Sequence, residues 1–167
     1  NWMAGVTTFI VVLLIVIVLL DREEDGVSLA AASRTVALTL ESGDGILENA
    51  PETSNFDEDL SDQWYVKYMD YLYGQGYLDS GSVKADERSA TSAVTYAVLS
   101  DWAKKASEEG KGETDALLSY VDSGDRAKKA VSSENFWKFY DAFRAAVDPD
   151  RAVAEVETDL YGTPDNV

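Results

Sequence analysis

The side chains in this chain that could do chemistry are carboxylates, because cysteine and histidine are both absent from the 167 residues. That excludes disulfides, zinc-finger-type sites, iron–sulfur clusters and c-type haem attachment. It also excludes Ser-His-Asp and Cys-His machinery, and any imidazole ligand for haem, chlorophyll or copper. A metal site would have to be built from carboxylates and would suit calcium or magnesium. Two acid-rich turns have that flavour, Glu41-Ser42-Gly43-Asp44-Gly45 and Asp122-Ser123-Gly124-Asp125. Neither places acids at alternate positions ahead of a glycine and a later glutamate. Both read as solvated turns, and no metal site is expected.

Paired carboxylates can also do acid–base work, as in glycosidases. The candidate groups are Asp57/Glu58/Asp59 and Asp148/Asp150. Both stand where helix N-termini favour acid for electrostatic reasons alone. Among 31 acidic residues some pair will always look well spaced. The expectation is therefore no catalytic residue, no cofactor and no small-molecule substrate.

Charge narrows the partners. Lysine and arginine number 14 against 31 acids, a formal net charge of -17 with a pI near 4.1. Phosphate binding needs a basic face, so nucleic acid is excluded as a partner. Anionic headgroups are repelled by the same field, so any membrane attachment is hydrophobic. The acids are spread along the whole chain with few lysines, the pattern of proteins adapted to high salt. At molar salt a Debye length of ~3 Å screens the self-repulsion such a surface creates.

The elements that must hold these residues begin with an uncharged run, Trp2 to Leu20, which meets Asp21-Arg22-Glu23-Glu24-Asp25 abruptly. As a helix it is roughly 28 Å long, close to the hydrocarbon thickness of a bilayer. It is apolar all round, unlike an amphipathic helix of a soluble domain. Its β-branched content would favour a strand in water. In lipid a lone strand leaves its backbone unsatisfied, so helix is expected. Residues 1–25 thus form a membrane-anchor or filament-core helix, with Trp2, Phe9, Ile10, Leu13, Leu14, Ile17 and Leu20 as the anchoring side chains. Trp2 sits where an interfacial aromatic anchor belongs.

A secretory signal peptide is a poor match, because the basic start, the shorter apolar run and the small-residue cleavage site are missing. The sequence starts at Asn1 and not at methionine, which is expected to reflect processing or a longer chain. With that start, residues 1–20 resemble the apolar N-terminal helix of type IV pilins. The resemblance implies leader cleavage and a filament whose core is made of such helices. It departs from the bacterial pattern at Gly5, where those pilins usually carry glutamate, and at Asp25-Gly26, where the helix stops short of a head domain. The position of Arg22 and Arg34 favours a cytoplasmic domain by the positive-inside rule. A removed leader would instead imply an exported one, and the extracytoplasmic side, or an extracellular filament, is the expectation adopted.

Residues 26–167 are expected to form one acidic multi-helix domain with a tail from about residue 161. Ser28 caps a helix bearing Leu29, Ala32, Val36 and Leu40 on one face, ended by Gly43 and Gly45, with a strand over Arg34–Leu40 as the alternative because Val36, Leu38 and Leu40 alternate; residues 45–55 read as loop. A second helix is expected from Asp57 to Tyr73, closed by Gly74-Gln75-Gly76. A third is expected from Asp86 to Glu109 with the stripe Ala90, Val94, Ala97, Val98, Trp102 and Ala106. Thr114 caps Asp115–Val121, Asp125 to Val131 adds a turn, and Ser133 opens Glu134–Val147 with a dense aromatic face. A last helix follows Asp148-Pro149. The fold class is all-α: one transmembrane-type helix and an irregular helical domain.

Trp64, Trp102, Trp137 and the phenylalanines of residues 136–143 are expected to supply much of the core. Tyr65, Tyr71, Tyr73 and Tyr77 are the candidate partner-contact residues, because one helix face cannot bury every ring between 64 and 73 and tyrosine favours interfaces. The function expected is a non-catalytic, single-pass membrane-anchored accessory or structural subunit of a larger protein assembly, from a halophile. The alternative is a pilin-like filament subunit.

Overall fold

Ser28 starts the first helix as its sequence implies. Its backbone is extended (φ −61°, ψ 149°), and its hydroxyl accepts the amide of Ala31 at 3.1 Å. That satisfies one of the donors a helix start leaves open. The computed structural model describes residues 26–119, 121 and 130–148. The anchor residues Trp2, Phe9, Ile10, Leu13, Leu14, Ile17 and Leu20 lie outside the described residues. So do the turn expected at 125–129, the last expected helix and the tail.

Helix α1 (Leu29–Leu40) is central. It packs on α2 (Gly43–Glu48), α3 (Val66–Gln75), α4 (Glu87–Thr91) and α7 (Ser133–Val147), and every residue from Ala32 to Thr39 is buried. A single apolar face was expected, yet Ser33, Thr35 and Thr39 are buried too. The two threonines limit their cost by bonding within the helix: Thr35 Oγ1 donates to the Ala31 carbonyl and Thr39 Oγ1 to that of Thr35, each at 2.9 Å, whereas Ser33 Oγ is buried without a hydrogen-bond partner among the described residues. A buried hydroxyl with a partner avoids most of the desolvation cost. Alanines at 30, 32 and 37 let neighbours approach closely.

Several boundaries differ from those expected: Thr114 lies inside a helix that ends at Leu118 and that Glu113 precedes without a side-chain cap bond, and Ser132, not Ser133, caps α7. The glycines at 43 and 45 do not simply end α1. Ser42 Oγ accepts the Gly45 amide at 3.1 Å and starts α2 inside the segment expected as loop. The helix expected from Asp57 is a 3-10 turn (Glu58–Leu60) followed by α3, which begins only at Val66. The expected 86–109 helix is broken into α4 and α5 (Tyr96–Glu108), with Thr95 capping the second by accepting the Val98 amide. The apolar stripe survives this break, since Ala90, Val94, Val98, Trp102 and Ala106 are all buried; Ala97 is exposed.

Helix α6 (Thr114–Leu118) packs on α5 and α7. Ser132 caps α7 by accepting the Asn135 amide. Among the described residues every regular element is helical and the β-pairing is one isolated bridge, Ser28 to Ala93. The domain is all-α. Its core runs through Leu38, Met69, Leu72, Leu99, Trp102, Phe136, Phe139 and Phe143. Thr39 Oγ1 and the Tyr140 hydroxyl, 3.1 Å apart, tie α1 to α7 across the centre.

Candidate functional site

The residues that follow the charged stretch 21–25 are built into the domain by backbone pairing. Val94 donates its amide to the Val27 carbonyl at 2.8 Å, and Leu29 donates to Ser92 at 2.8 Å. On the other side Val131 donates to the Val94 carbonyl at 2.9 Å. Residues 27–29, the α4–α5 connector and the lead into α7 thus form a three-part clamp. Gly26 makes it fit. Its φ is +71°, and a Cβ there would stand 2.6 Å from the Val131 carbonyl oxygen and 3.1 Å from Ala93 Cβ. Only glycine takes that backbone conformation and that proximity at low cost. Composition marks Gly26 only as punctuation after the acids, and nothing local to it signals the pairing with residues 94 and 131.

Of the four tyrosines expected at a partner surface, three are inside the domain. Tyr65 is 3% exposed, Tyr71 6% and Tyr77 2%; Tyr73 is half-buried. The expectation took a continuous helix packed on one side. Helix α3 instead begins at Val66, which leaves Trp64 and Tyr65 in the turn before it, and it is covered by both α1 and α2. A third cover comes from the 54–56 loop. The buried Asp70 carboxylate accepts the Ser54 hydroxyl at 2.6 Å, the Asn55 amide at 3.0 Å and Asn55 Nδ2 at 3.1 Å. That knot presses Phe56 onto Tyr65 (5.8 Å between centroids) and Tyr73 (6.4 Å). Arg34, also buried, holds its guanidinium 5.6 Å above the Trp64 ring.

Burial sets the chemistry of these phenols. Tyr73 donates to the Val83 carbonyl at 2.8 Å; burial first, then the charges of Asp70, Asp86 and Asp79, push its pKa up to about 12. Tyr77 donates to Glu109 Oε2 at 3.1 Å and packs edge-on against Phe143. Burial, then the Glu109 charge and hydrogen bond, hold it well above the ordinary tyrosine value. Tyr65 and Tyr71 are raised as well, chiefly by burial. Each is therefore a neutral donor or packing group near neutral pH.

Trp137 moves the opposite way. It was expected in the core, but it is 38% exposed on α7, whereas Phe136, Phe139 and Phe143 of the same helix are fully buried. The reason is phase: positions 134, 137, 138, 141 and 145 fall on one side of the helix, all are exposed, and Trp137 is the ring on that side.

Of the two acid-rich segments expected as solvated turns, residues 41–45 instead lead into a helix. Glu41 Oε1 accepts the Ser42 amide, and that segment is the start of α2. Asp57, Glu58 and Asp59 are exposed, Asp148 is half-buried at the end of α7, and Asp150 and the 122–125 turn lie outside the described residues. Among the described residues no group of three acids is placed to hold a metal ion. A cavity of about 480 Å³ opens beside the clamp, lined by Leu29, Val83, Lys84, Asp86, Arg88 and Val94 among others. Its two cations flank Asp86, whose carboxyl is held below its ordinary value by the Ser89 hydrogen bonds first and by Lys84 and Arg88 after them. The lining therefore carries two cations against one carboxylate.

Comparison with protein-family models, curated proteins and solved structures gave no match to this chain. Among the described residues, no helix is long and apolar enough to cross a membrane.

Proposed function

We propose that this chain is a non-catalytic, membrane-anchored structural or accessory subunit. In this reading the Trp2–Leu20 run lies in the bilayer, and the acidic helical domain docks on other protein subunits outside it. The observation that carries the reading is the clamp. Residues 26–29 are gripped by two segments remote in sequence, with Gly26 fitted against the Val131 carbonyl. A dispensable leader needs no such attachment. A segment that holds the domain to something else gains from it, because a pull at residue 26 meets the bonds of Val27 and Leu29 to Val94 and Ser92, and Val94 is bonded in turn to Val131.

The surface supports a high-salt setting. Asp44, Glu48, Glu52, Asp57, Glu58, Asp59 and Asp62 are all exposed along one stretch of chain. The ion pairs Lys105–Glu109 and Lys138–Glu134 lie within single helix turns and neutralise little of this.

The test is fractionation of the full chain. A bilayer subunit sediments with membranes and is released by mild detergent, not by alkali or shear. Particles that pellet intact after shearing without detergent would make it a pilin-like filament subunit. A chain that stays monomeric in buffer would overturn both.

A further inference from the structure

We propose that the outward stripe of α7, centred on Trp137, is the surface through which this domain docks on an arginine-bearing segment of a partner subunit; this rests on the reading of the chain as an assembly subunit. Glu134, Trp137, Lys138, Asp141 and Ala145 share that stripe and are all exposed. Trp137 is its large apolar group. The ring is fixed in place: it stands edge-on to Phe136 (4.9 Å, 79°) and to Tyr140 (5.7 Å, 87°). Phe136 is fully buried, and Tyr140 is tied to Thr39 of α1. A tryptophan held this way loses little conformational freedom on binding, which is the property of interface residues that dominate affinity.

Charge selects the occupant. Lys138 Nζ is 3.1 Å from Glu134 Oε1, so the one ammonium on the stripe is already engaged. Asp141 stands one turn beyond the ring and is exposed to solvent. A planar guanidinium can lie on an indole face and reach a carboxylate one turn away with the same group. An ammonium offers only the point charge. An acidic partner would meet the stripe's own carboxylates at contact range.

The experiment uses the full chain in a zwitterionic detergent, labelled with ¹⁵N-tryptophan, with the Trp137 indole signal assigned by Trp137→Phe. The probes are three short synthetic peptides that differ only in carrying two arginines, two lysines or two glutamates. The arginine peptide should shift the Trp137 indole signal saturably, the lysine peptide more weakly, and the glutamate peptide not at all. Asp141→Asn should weaken the arginine peptide about threefold, the size expected of one exposed charge contact. Molar salt should weaken it further, while stacking persists. Equal response to all three peptides, no response to arginine, or an unchanged affinity in Asp141→Asn would overturn the proposal. None of these outcomes depends on whether the chain fractionates with membranes, so the two readings fail separately.

Discussion

Replacing Gly26 by alanine puts a methyl group against the clamp, and its cost follows from the geometry. The new Cβ inherits a φ of +71° and stands 2.6 Å from the Val131 carbonyl oxygen, a backbone atom with no rotamer to yield. Holding an L-residue in the left-handed region costs roughly 1–2 kcal/mol. Moving the Val131 carbonyl aside disturbs the Val131–Val94 hydrogen bond, whose net worth is ~0.5–1.5 kcal/mol. The sum is about 1.5–3.5 kcal/mol, a large share of a domain stability of ~5–15 kcal/mol. A control of opposite sign is available in Gly74, which sits inside α3 with nothing near its missing Cβ. Gly74→Ala should stabilise by about 0.5–1 kcal/mol through helix propensity. Thermal melts of the full chain in detergent, followed by circular dichroism at 222 nm, would compare both with the parent. At roughly 4 °C per kcal/mol for a domain of this size, Gly26→Ala should melt about 6–14 °C lower. If it melts at or above the parent while Gly74→Ala rises, the clamp does not hold the domain together.

The exchange of Tyr71 and Trp137 between surface and interior gives a paired test by the same melts. Tyr71→Ala should cost about 3–5 kcal/mol, as for Phe139→Ala, because both rings are buried; Trp137→Ala should cost about 1 kcal/mol or less. Alkaline titration probes Tyr73, whose pKa rises from the ordinary 10 to about 12 on folding. The folded state then keeps a proton that the unfolded state has lost, so stability is intact below pH 10 and falls as pH rises toward 12. Tyr73→Phe should flatten that fall, and an unchanged slope would mean the phenol is not held as described. Raising potassium chloride from low to molar concentration should raise the melting temperature, since screening relieves repulsion among the exposed carboxylates; a flat or falling trend would count against adaptation to salt.

What was legible in the sequence was local. Ser28 as the cap of α1, Gly76 as the end of α3 and the stripe Val98, Trp102 and Ala106 of α5 are all set by short-range periodicity and capping chemistry. The break at residues 92–95 was not legible, because its cause is pairing of Val94 with Val27 and Val131. The same holds for the tyrosines. A helical wheel counts rings per face but cannot show that α1, α2 and the Asp70-tied loop cover α3 from several directions. Trp137 differs for the converse reason. Phe136, Phe139, Tyr140 and Phe143 fill the inward face of α7 by themselves, which turns residue 137 outward.

Single spin labels decide whether the Trp2–Leu20 run lies in a bilayer, as proposed. The chain has no cysteine, so one label can be placed at Leu13→Cys and another at Glu52→Cys without any background. In reconstituted membranes the label at 13 should be accessible to oxygen and protected from a water-soluble nickel reagent. The label at 52, on the exposed loop, should show the reverse. Equal and high nickel accessibility at both sites would place residue 13 in water and contradict the anchor.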